Sequence, residues 1–353
     1  MKEVRLIKGN EALVEGAIIA GVKFYAGYPI TPQNEVTELM SVRMPQSGGV
    51  FVQAESELAA INMVFGASAA GARAMTTTSS PGFSLMQEGM SYLATAMLPC
   101  VVANVQRGGP GLGNIAGAQG DYFQATKGGG HGDYRIIVLA PSSPQEMLDF
   151  TVLSFDLADK YRIPVLILSD GIIGQMMENV TLDYDYKVNY VPKEWALTGA
   201  KNRPKNVIRS LWLDENLMEK VNLKLQETYR IIEKNELRFE EYRVLDAEIL
   251  LVAYGVSARV CRNVVDEMRK EGYKTGLLRP VTLYPFPYER LKQLASDGVK
   301  AVLTVEMCSG QMIEDVKLGV ECRIPVYFYG KMGGVLLDEK EICKKIVEIK
   351  NSF

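Results

Sequence analysis

The first half of the chain alternates short apolar runs, rich in β-branched and aromatic residues, with longer amphipathic segments. The short runs predict strands and the longer segments predict helices. Predicted strands cover 22–26, 50–53, 73–78, 99–106, 136–140 and 164–169, and predicted helices cover 10–20, 57–70, 84–96 and 143–161. Strands and helices in this rhythm form a parallel sheet covered on both faces. The first prediction is therefore an α/β domain with a doubly wound parallel sheet.

Two helix starts are predicted from local signals. Asn10 precedes the first amphipathic segment and is a predicted N-cap, because its side-chain oxygen can accept from a free backbone N–H. Gly21 ends that helix. Thr31-Pro32 predicts a second start, with the threonine hydroxyl as the cap and proline at the first helical position.

The pattern changes near residue 184. An irregular polar segment contains Tyr184, Tyr186, Tyr190, Pro192 and Trp195, and 214–243 is predicted to be one long, highly charged helix. This connector would pack on the first domain or on a partner. A second alternating unit begins at Ala247, with strands over 249–255, 274–280, 300–306 and 324–329 and helices over 258–271, 288–295 and 311–319. We predict a domain over 1–185, a connector over 186–245 and a smaller α/β domain over 246–353.

Composition excludes several classes of protein. The 353 residues are 47% hydrophobic and 23% charged, as in a globular protein with a full core, and the net charge of −3 argues against nucleic acid as a partner. No apolar run approaches the ~20 residues that span a bilayer, and the N-terminus lacks a signal-peptide core, so we expect no membrane association. The five scattered cysteines contain no C-x-x-C pair. They favour a reducing cytoplasm and argue against a zinc or iron–sulfur site held by this chain alone.

Three polar loops follow predicted strands and carry candidate chemistry. They contain YPITPQ with Thr31, AESELAA with Glu57, and NVQRGGPG with Arg107. Ligands of open α/β sheets bind outside the carboxyl ends of the strands, where such loops lie. A threonine, a carboxylate and an arginine there are typical of a site for a small anionic substrate beside a cofactor.

Each candidate also has an ordinary structural interpretation. Glu57 begins a helix rich in small residues and can face a flat ring, but a glutamate in a first helical turn is also favoured by the helix dipole. Glu55 is a rival for the same role. Thr31 can bind a carboxylate or only cap a helix, and Arg107 can grip a carboxylate with two parallel hydrogen bonds or simply face solvent.

Other glycine-rich and polar segments do not match known phosphate-binding, dinucleotide-binding or nucleophile motifs. Neither TTTSSPGFSLMQEG nor GGPGLGN contains a complete phosphate-binding or dinucleotide fingerprint. The single histidine, His131, lies in KGGGHGDY, and the chain has no G-x-S-x-G motif to supply a nucleophile for it. We interpret His131 as a polar loop residue near the substrate rather than a catalytic base.

Taken as an ordered set, YPITPQ, AESELAA, TTTSSPGFSLMQEG, NVQRGGPG, GGGHGDY, LRPVTLYPFP and VEMCSGQM resemble the α subunit of the 2-oxoacid:ferredoxin oxidoreductases. The resemblance covers nearly the whole chain. It is strongest to the 2-oxoisovalerate type, with the 2-oxoglutarate type next.

The resemblance implies a thiamine diphosphate enzyme with a pyrimidine-binding first domain and a transketolase-C-terminal-like second domain. It implies that Glu57 contacts the aminopyrimidine ring and favours its imino tautomer, that Pro29 and Ile30 lie beside the cofactor, and that Thr31 and Arg107 hold the substrate carboxylate. Cys308 departs from the family pattern, since many relatives have asparagine there, which leaves the role of its loop open.

The resemblance also implies a divided site. Gly120-Asp121-Tyr122 and Gly132-Asp133-Tyr134 are not the GDG motif that binds Mg²⁺ and the cofactor's diphosphate. A β subunit would therefore bind the diphosphate, Mg²⁺ and one iron–sulfur cluster, and γ and δ subunits would supply further clusters and a domain for coenzyme A, with ferredoxin as electron acceptor. This chain itself would hold no metal.

The expected reaction is oxidative decarboxylation of a 2-oxoacid, most simply 2-oxoisovalerate, to acyl-CoA and CO₂. Two alternatives remain open: a 2-oxoglutarate enzyme, in which Lys127, His131 or Arg135 binds the second carboxylate, and a non-catalytic assembly subunit. A stand-alone thiamine decarboxylase and a nicotinamide dehydrogenase are disfavoured by the missing motifs.

Overall fold

The computed structural model describes residues 3–183 and 186–353. Tyr184 and the predicted domain boundary after residue 185 lie outside these residues. Strands up to residue 235 are β1 (Val4–Lys8), β2 (Phe24–Gly27), β3 (Val50–Gln53), β4 (Ala74–Thr78), β5 (Cys100–Gln106), β6 (Ile137–Leu139), β7 (Pro164–Asp170) and β8 (Met177–Thr181). Helices there are α1 (Gly9–Ile19), α2 (Asn34–Gln46), α3 (Glu57–Ala69), α4 (Pro81–Thr95), α5 (Tyr122–Thr126), α6 (Pro144–Tyr161), α7 (Gly171–Gln175) and α8 (Glu215–Asn235). The remainder contains β9 (Phe239–Tyr242), β10 (Ile249–Val252), β11 (Thr275–Pro280), β12 (Thr282–Tyr284), β13 (Ala301–Glu306) and β14 (Val326–Gly330), with α9 (Gly255–Lys270), α10 (Tyr288–Ser296), α11 (Met312–Gly319) and α12 (Glu339–Lys350).

Two sheets organise the molecule. The larger has seven strands in the order β12-β6-β7-β5-β4-β2-β3, and all its pairs are parallel except β12 with β6. Neighbouring residues of β5 point to opposite faces, so Val101 and Val102 enter separate hydrophobic clusters. The second sheet has five strands, β14-β13-β10-β11-β9, with only β9 antiparallel. The predicted α/β class with a doubly wound sheet is confirmed.

Two predicted helix starts were wrong, and tertiary contacts explain both. Helix α1 begins one residue earlier, at Gly9, and the fully buried Asn10 instead donates from its side-chain amide to the carbonyl of Pro32 at 2.8 Å. Helix α2 begins at Asn34 with Gln33 as N-cap, because Thr31 and Pro32 form a turn with a cis peptide bond between them. Asn10 and Thr31 therefore serve loop contacts rather than helix caps.

The long charged helix was predicted too long. Helix α8 ends at Asn235, and residues of the predicted last turns form β9, which pairs antiparallel with β11. The helix buries Leu225, Tyr229 and Ile232 against the cluster under β6 and β7. That spacing puts the three side chains on one helical face. The connector thus packs on the first domain. Nowhere in the described ranges is a helix both long enough and apolar enough to cross a membrane.

The two sheets are joined through Gln119. Its side-chain amide donates to the Tyr254 carbonyl at 2.9 Å, and its oxygen accepts from the Ser257 hydroxyl at 2.6 Å and from the Met307 N–H at 3.0 Å. The side chain is fully buried. Because both the nitrogen and the oxygen of this buried amide are hydrogen-bonded, Gln119 fixes the position of the loop that follows β5 against the C-terminal unit.

Candidate functional site

The site lies where the strand order of the larger sheet reverses. Strand β2 is flanked by β3 on one side and β4 on the other, so the connections that leave β2 and β4 run in opposite directions. This reversal opens a crevice beyond the carboxyl ends of the strands. Buried hydrogen bonds fix its floor: Thr77 Oγ1 lies 2.6 Å from Gln33 Oε1 and 2.7 Å from the Tyr25 hydroxyl.

Glu57 is the first residue of α3 and points into this crevice. Its neighbour Ser56 caps the helix by accepting from the Ala59 N–H at 3.2 Å. The glutamate is only 4% exposed. Within 3–183 and 186–353 no side chain or backbone N–H donates to its carboxylate. A buried carboxylate without a donor is costly unless a ligand supplies one.

Gly82, near the start of α4, lies directly against that carboxylate. A Cβ built on Gly82 would lie 2.3 Å from Glu57 Oε1 and 2.1 Å from Thr78 Oγ1, so no larger residue fits without displacement. Thr78 Oγ1 is itself buried and has no hydrogen-bond partner in the described structure. By contrast Glu55, the rival candidate, is exposed on the loop before α3. The geometry favours Glu57 over Glu55.

Arg107 follows β5 and is also buried, at 7% exposure. Its Nη1 donates to the Thr31 carbonyl and its Nη2 to the Leu112 carbonyl, each at 2.9 Å. Nε is buried without a partner, and no carboxylate of the described residues forms an ion pair with this guanidinium. A buried cation without a counter-ion is a strong binding site for an anion.

The YPITPQ loop is drawn to Arg107. Thr31 is half-buried, and its hydroxyl accepts from the Asn34 amide at 3.2 Å. Pro29 is exposed and Ile30 is half-buried at the same mouth of the crevice. The structure therefore brings Thr31 and Arg107 together as the sequence predicted, although through the threonine carbonyl rather than a helix cap.

A supporting network behind Arg107 was missed in the sequence. The Ser80 hydroxyl lies 2.6 Å from Asp121 Oδ2 and accepts from the Arg107 N–H at 3.0 Å. Asn104 donates to the same carboxylate at 2.8 Å and accepts from the Ser80 N–H at 2.8 Å. Burial raises the pKa of Asp121, while these hydrogen bonds lower it. The Thr-Ser run before Pro81 was the only signal, and nothing in its spacing identified Asn104 or Asp121 as partners.

These residues fit the aminopyrimidine end of thiamine diphosphate. Gly82 and Thr78 cover one side of the Glu57 carboxylate, and a flat ring with N–H groups would satisfy the carboxylate from its remaining side. No cluster of three or more His, Cys, Asp or Glu side chains with metal-binding geometry occurs in the described part of the chain.

Comparisons with known proteins agree with this geometry. Residues 15–243 match the family model "Pyruvate flavodoxin/ferredoxin oxidoreductase, thiamine diP-bdg", and residues 247–342 match "Pyruvate:ferredoxin oxidoreductase core domain II". The ketoisovalerate oxidoreductase subunit VorB of Methanothermobacter marburgensis is 52% identical, over 98% of this chain and 97% of that protein. The chain belongs to the 2-oxoacid:ferredoxin oxidoreductase family. The predicted resemblance is confirmed.

Other members of the family are similar to this chain at lower sequence identity. The 2-oxoglutarate synthase subunit KorA of Methanocaldococcus jannaschii is 38% identical, over 98% of this chain and the whole of that protein. Among solved structures, the 2-oxoglutarate:ferredoxin oxidoreductase of Magnetococcus marinus, with 2-oxoglutarate, coenzyme A and succinyl-CoA bound, superposes with a TM-score of 0.88 at 28% identity. This chain covers 65% of that structure's length, while 98% of this chain is matched. A split gene transketolase, at 14% identity and a TM-score of 0.60, shares the fold.

Three polar residues proposed for a second substrate carboxylate have other surroundings. Lys127 forms an ion pair with the buried Asp315. Arg135 donates to the Thr126 carbonyl at 3.2 Å and lies 5.9 Å from the centre of the Tyr284 ring. His131 is exposed, and its carbonyl accepts from the Ser91 hydroxyl.

The EMCSGQ loop is a helix cap. The fully buried Glu306 accepts from the N–H groups of Gln311, Met312 and Ile313, at 3.1, 2.8 and 3.0 Å, at the start of α11. Cys308 donates its thiol to the same carboxylate at 3.2 Å, and burial raises the pKa of this thiol to about 12. Cys308 is thus a buried, protonated donor in a capping network rather than a reactive thiol.

Proposed function

We propose that this chain is the α subunit of a CoA-acylating, ferredoxin-reducing 2-oxoacid oxidoreductase whose substrate is 2-oxoisovalerate. The overall reaction converts the 2-oxoacid and coenzyme A to acyl-CoA and CO₂, and two electrons pass to ferredoxin. The observation that carries the proposal is a pair of buried charged side chains at the carboxyl edge of the sheet: the Glu57 carboxylate, 4% exposed, and the Arg107 guanidinium, 7% exposed, whose Nε has no hydrogen-bond partner among the described residues. The carboxylate needs a hydrogen-bond donor and the guanidinium needs an anion. The description of the family model names thiamine diphosphate, whose aminopyrimidine ring would supply the donor.

Glu57 would hold the aminopyrimidine ring. Thiamine diphosphate, when bound, supplies a carbon nucleophile and an electron sink for decarboxylation. Glu57, held in place against Gly82, would share a proton with a nitrogen of the ring. Because this carboxylate is almost excluded from water, its hydrogen bond would be strong and its position fixed before substrate arrives.

Arg107 would bind the substrate carboxylate. Its Nε–H and a remaining Nη–H lie along one edge of the guanidinium and can form two parallel bonds to a carboxylate. The bonds to the Thr31 and Leu112 carbonyls hold the guanidinium plane in place. The Thr31 side chain, at the same mouth, would orient the carboxylate as an additional donor.

The groups around Arg107 favour a branched apolar substrate. The loop after β5 presents Leu112 and Ile115, which are 78% and 65% exposed. A second carboxylate would need another cation, yet Lys127 is already paired with the buried Asp315. We therefore prefer 2-oxoisovalerate over 2-oxoglutarate, the substrate in the name of the 38% identical relative.

The remaining parts of the enzyme belong to partners in this proposal. A β subunit would bind the diphosphate end of the cofactor, Mg²⁺ and a cluster, while γ and δ subunits would complete electron transfer and the coenzyme A site. The division into a pyrimidine-binding domain (1–185), a connector (186–245) and a transketolase-C-terminal-like domain (246–353) is part of the same proposal. The five cysteines are free thiols, which suits a cytoplasmic enzyme.

The test is ferredoxin reduction by the complex co-expressed with its partner subunits. Assays with 2-oxoisovalerate, 2-oxoglutarate, pyruvate and indolepyruvate should give the highest kcat/KM with 2-oxoisovalerate. A preference for 2-oxoglutarate would select the alternative substrate. Normal turnover in Glu57→Gln and Arg107→Ala complexes would instead indicate a non-catalytic assembly subunit.

A further inference from the structure

A second unusual region lies in the connector, between Trp195 and Asp214. The sequence there is WALTGAKNRPKNVIRSLWL, which contains both tryptophans of the chain. It contains four cations, Lys201, Arg203, Lys205 and Arg209, and no acidic residue, although the whole chain has a net charge of −3. The catalytic proposal assigns no role to this segment.

The hydrogen bonds of residues 204–213 involve side chains rather than backbone pairs: Asn206 donates to the carbonyls of Glu194 and Ala196, and Arg203 donates to the carbonyl of Pro204. Residues 204–213 lie outside every helix and strand, and no backbone–backbone hydrogen bond joins any of them to another described residue. Exposure alternates along the segment, as in a strand with one covered face. Val207, Leu211 and Leu213 are 71%, 68% and 86% exposed, whereas Ile208 and Trp212 are partly buried. Free backbone groups beside exposed apolar side chains are typical of an edge to which another chain adds.

The inner side of this segment lines a groove of about 460 Å³, which we call the two-tryptophan groove. An arginine guanidinium stacks over each tryptophan ring. Arg162 lies 4.5 Å from the centre of the Trp195 ring, and Arg209 lies 3.8 Å from the centre of the Trp212 ring. Trp212 Nε1 is a buried donor that has no acceptor among the described residues. An unsatisfied indole N–H in a groove is a position where a partner carbonyl would bind.

The groove is strongly cationic. Arg162, Arg209, Lys220 and Lys224 line it, and no acidic side chain does. None of the four forms an ion pair with a described carboxylate, in contrast to most arginines elsewhere in the molecule. Burial lowers the pKa of Arg162, which shows that its charge is partly desolvated without compensation. An acidic partner would complement this uncompensated positive charge.

The position excludes a role in substrate binding. The groove adjoins Met97 and Arg162, which directly precede β5 and β7, so it lies at the amino ends of the strands. Arg107 follows the carboxyl end of β5. The seven residues of β5 separate the two edges by roughly 20 Å.

We propose that the two-tryptophan groove and residues 204–213 form a docking surface for an acidic segment of another subunit of the complex. The segment carries carboxylates for the four cations, apolar side chains for Val207, Leu211 and Leu213, and a backbone that pairs with the open edge. A small anion such as a nucleotide would satisfy the cations but leave that outer apolar row uncovered. This inference rests on the proposed function, because it takes the partner from the same complex.

The experiment compares hydrogen–deuterium exchange in the full-length chain alone and in the complex purified with its partner subunits. Amides of residues 205–213 should exchange at least about tenfold more slowly in the complex, because they gain backbone partners. A triple variant, R209E/K220E/K224E, should weaken assembly by about tenfold or more, with a loss that shrinks at high salt. The matched control is K274E/K317E/K344E, which reverses three exposed cations outside the groove and should assemble normally.

Several results would overturn the inference. Unchanged exchange of 205–213 in an assembled complex would exclude docking there. Equal protection by millimolar ATP or coenzyme A would identify a small-anion site, and protection in the isolated chain with a dimer in analytical ultracentrifugation would identify a second copy. Assembly and activity are measured separately: an active complex with an unprotected segment refutes docking only, whereas a protected but inactive complex refutes the proposed function only. Failure of the wild-type subunits to co-elute would count against both.

Discussion

The crevice at the carboxyl edge and the junction between the two sheets are both buried and polar, yet their hydrogen bonding differs. In the crevice, Thr78 Oγ1 and the Nε of Arg107 have no partner among the described residues, and the buried Glu57 carboxylate lies against Gly82. At the junction, Gln119 uses both ends of its amide, and Asp315 accepts from Tyr122, Lys127 and Tyr288. Glu57, Thr78 and Arg107 in the crevice and Gln119, Tyr122 and Asp315 at the junction are all buried.

The difference separates function from structure. Folding places a buried polar group in a satisfied network whenever the chain can supply one. Groups that stay unsatisfied raise the energy of the isolated chain and lower it again when a ligand binds. Burial alone therefore does not identify a binding site, whereas a buried group without a partner is one that a ligand or another chain can satisfy.

Replacing Glu57 tests the crevice most directly. Glu57→Gln keeps the shape but removes the charge, so ferredoxin reduction should fall by about 10²–10⁴-fold, the usual range for a positioned proton-transfer group. Stability should be unchanged or higher, because an unpaired buried charge is lost. Steady-state turnover and thermal unfolding of the complex measure the two effects. The control Glu55→Gln, on an exposed residue two positions away, should keep normal turnover.

Removing Arg107 should impair substrate capture. Arg107→Ala is expected to lower kcat/KM for the 2-oxoacid by an amount equivalent to about 2–5 kcal/mol of binding free energy. The reason is that the substrate carboxylate would then be unpaired at a site with little water. Arg107→Lys should recover part of this loss, because it keeps the charge without the planar pair of donors. The measurement is the initial rate of ferredoxin reduction as a function of 2-oxoacid concentration, which gives kcat and KM separately. A loss in kcat alone, with KM unchanged, would contradict the assignment.

The junction should respond in the opposite way. Asp315→Ala leaves the buried Tyr122 hydroxyl without its 2.6 Å acceptor and removes the counter-ion of Lys127. We expect the free energy of unfolding to fall by about 3 kcal/mol. Substrate KM in the molecules that remain folded should be near normal. Urea denaturation provides the number, and the exposed neighbour variant Glu314→Ala should stay within about 0.5 kcal/mol of the parent.

A pH dependence is expected beside that junction. Burial raises the pKa of Asp170 from 3.8 to about 6, although its carboxylate accepts from Ile172 and Ile173. The folded chain therefore binds a proton that the unfolded chain releases between about pH 4 and 6, so this group's contribution to stability falls as pH rises through that window, by up to about 3 kcal/mol. Asp170→Asn lacks the titration.

Denaturation of the parent and Asp170→Asn at pH 4.5 and 7.5 measures this effect. The parent should lose stability relative to the variant as pH rises. A difference that stays constant, or changes in the other direction, would mean that the carboxyl is charged throughout.

Cys308 should matter least. Cys308→Ser keeps a donor to Glu306 in a smaller side chain, so the change in unfolding free energy should stay near 1 kcal/mol, and turnover should not change. Labelling of the native complex with a thiol reagent should leave Cys308 unmodified, since its pKa of about 12 keeps it protonated. A large loss of turnover with normal folding would instead give the thiol a direct role.

Most of the fold was predictable because its signals are local. Strand β3 was predicted at its observed bounds, and β4, β5 and β7 within one residue at each end, since continuous apolar runs identify buried parallel strands. Helices α5, α7 and the twelve-residue α12 were not predicted. The strands that were missed are short or lie at sheet edges: β1, β8, β9 and β12. Their pairing depends on partners distant in the chain, so no local pattern reports it.

The site was predictable in its residue types but not in its contacts. Glu57, Thr31 and Arg107 were identified from their loops, and the ordered motifs indicated the family. The Ser80–Asn104–Asp121 network was not, because its members come from three separate segments and each is an ordinary polar residue in isolation. The caps predicted at Asn10 and Thr31 were wrong for the same reason: long-range contacts outcompeted local ones.

By itself, the amino-acid sequence determined that strands and helices alternate, which loops carry charge, and that no cysteine framework exists for a metal cluster, because these properties depend on neighbouring residues alone. Only the tertiary structure decided that Glu57 and Arg107 share one crevice while Lys127 and Cys308 belong to satisfied networks. The physical reason is that the free energy of a buried charge depends on which distant groups fold against it.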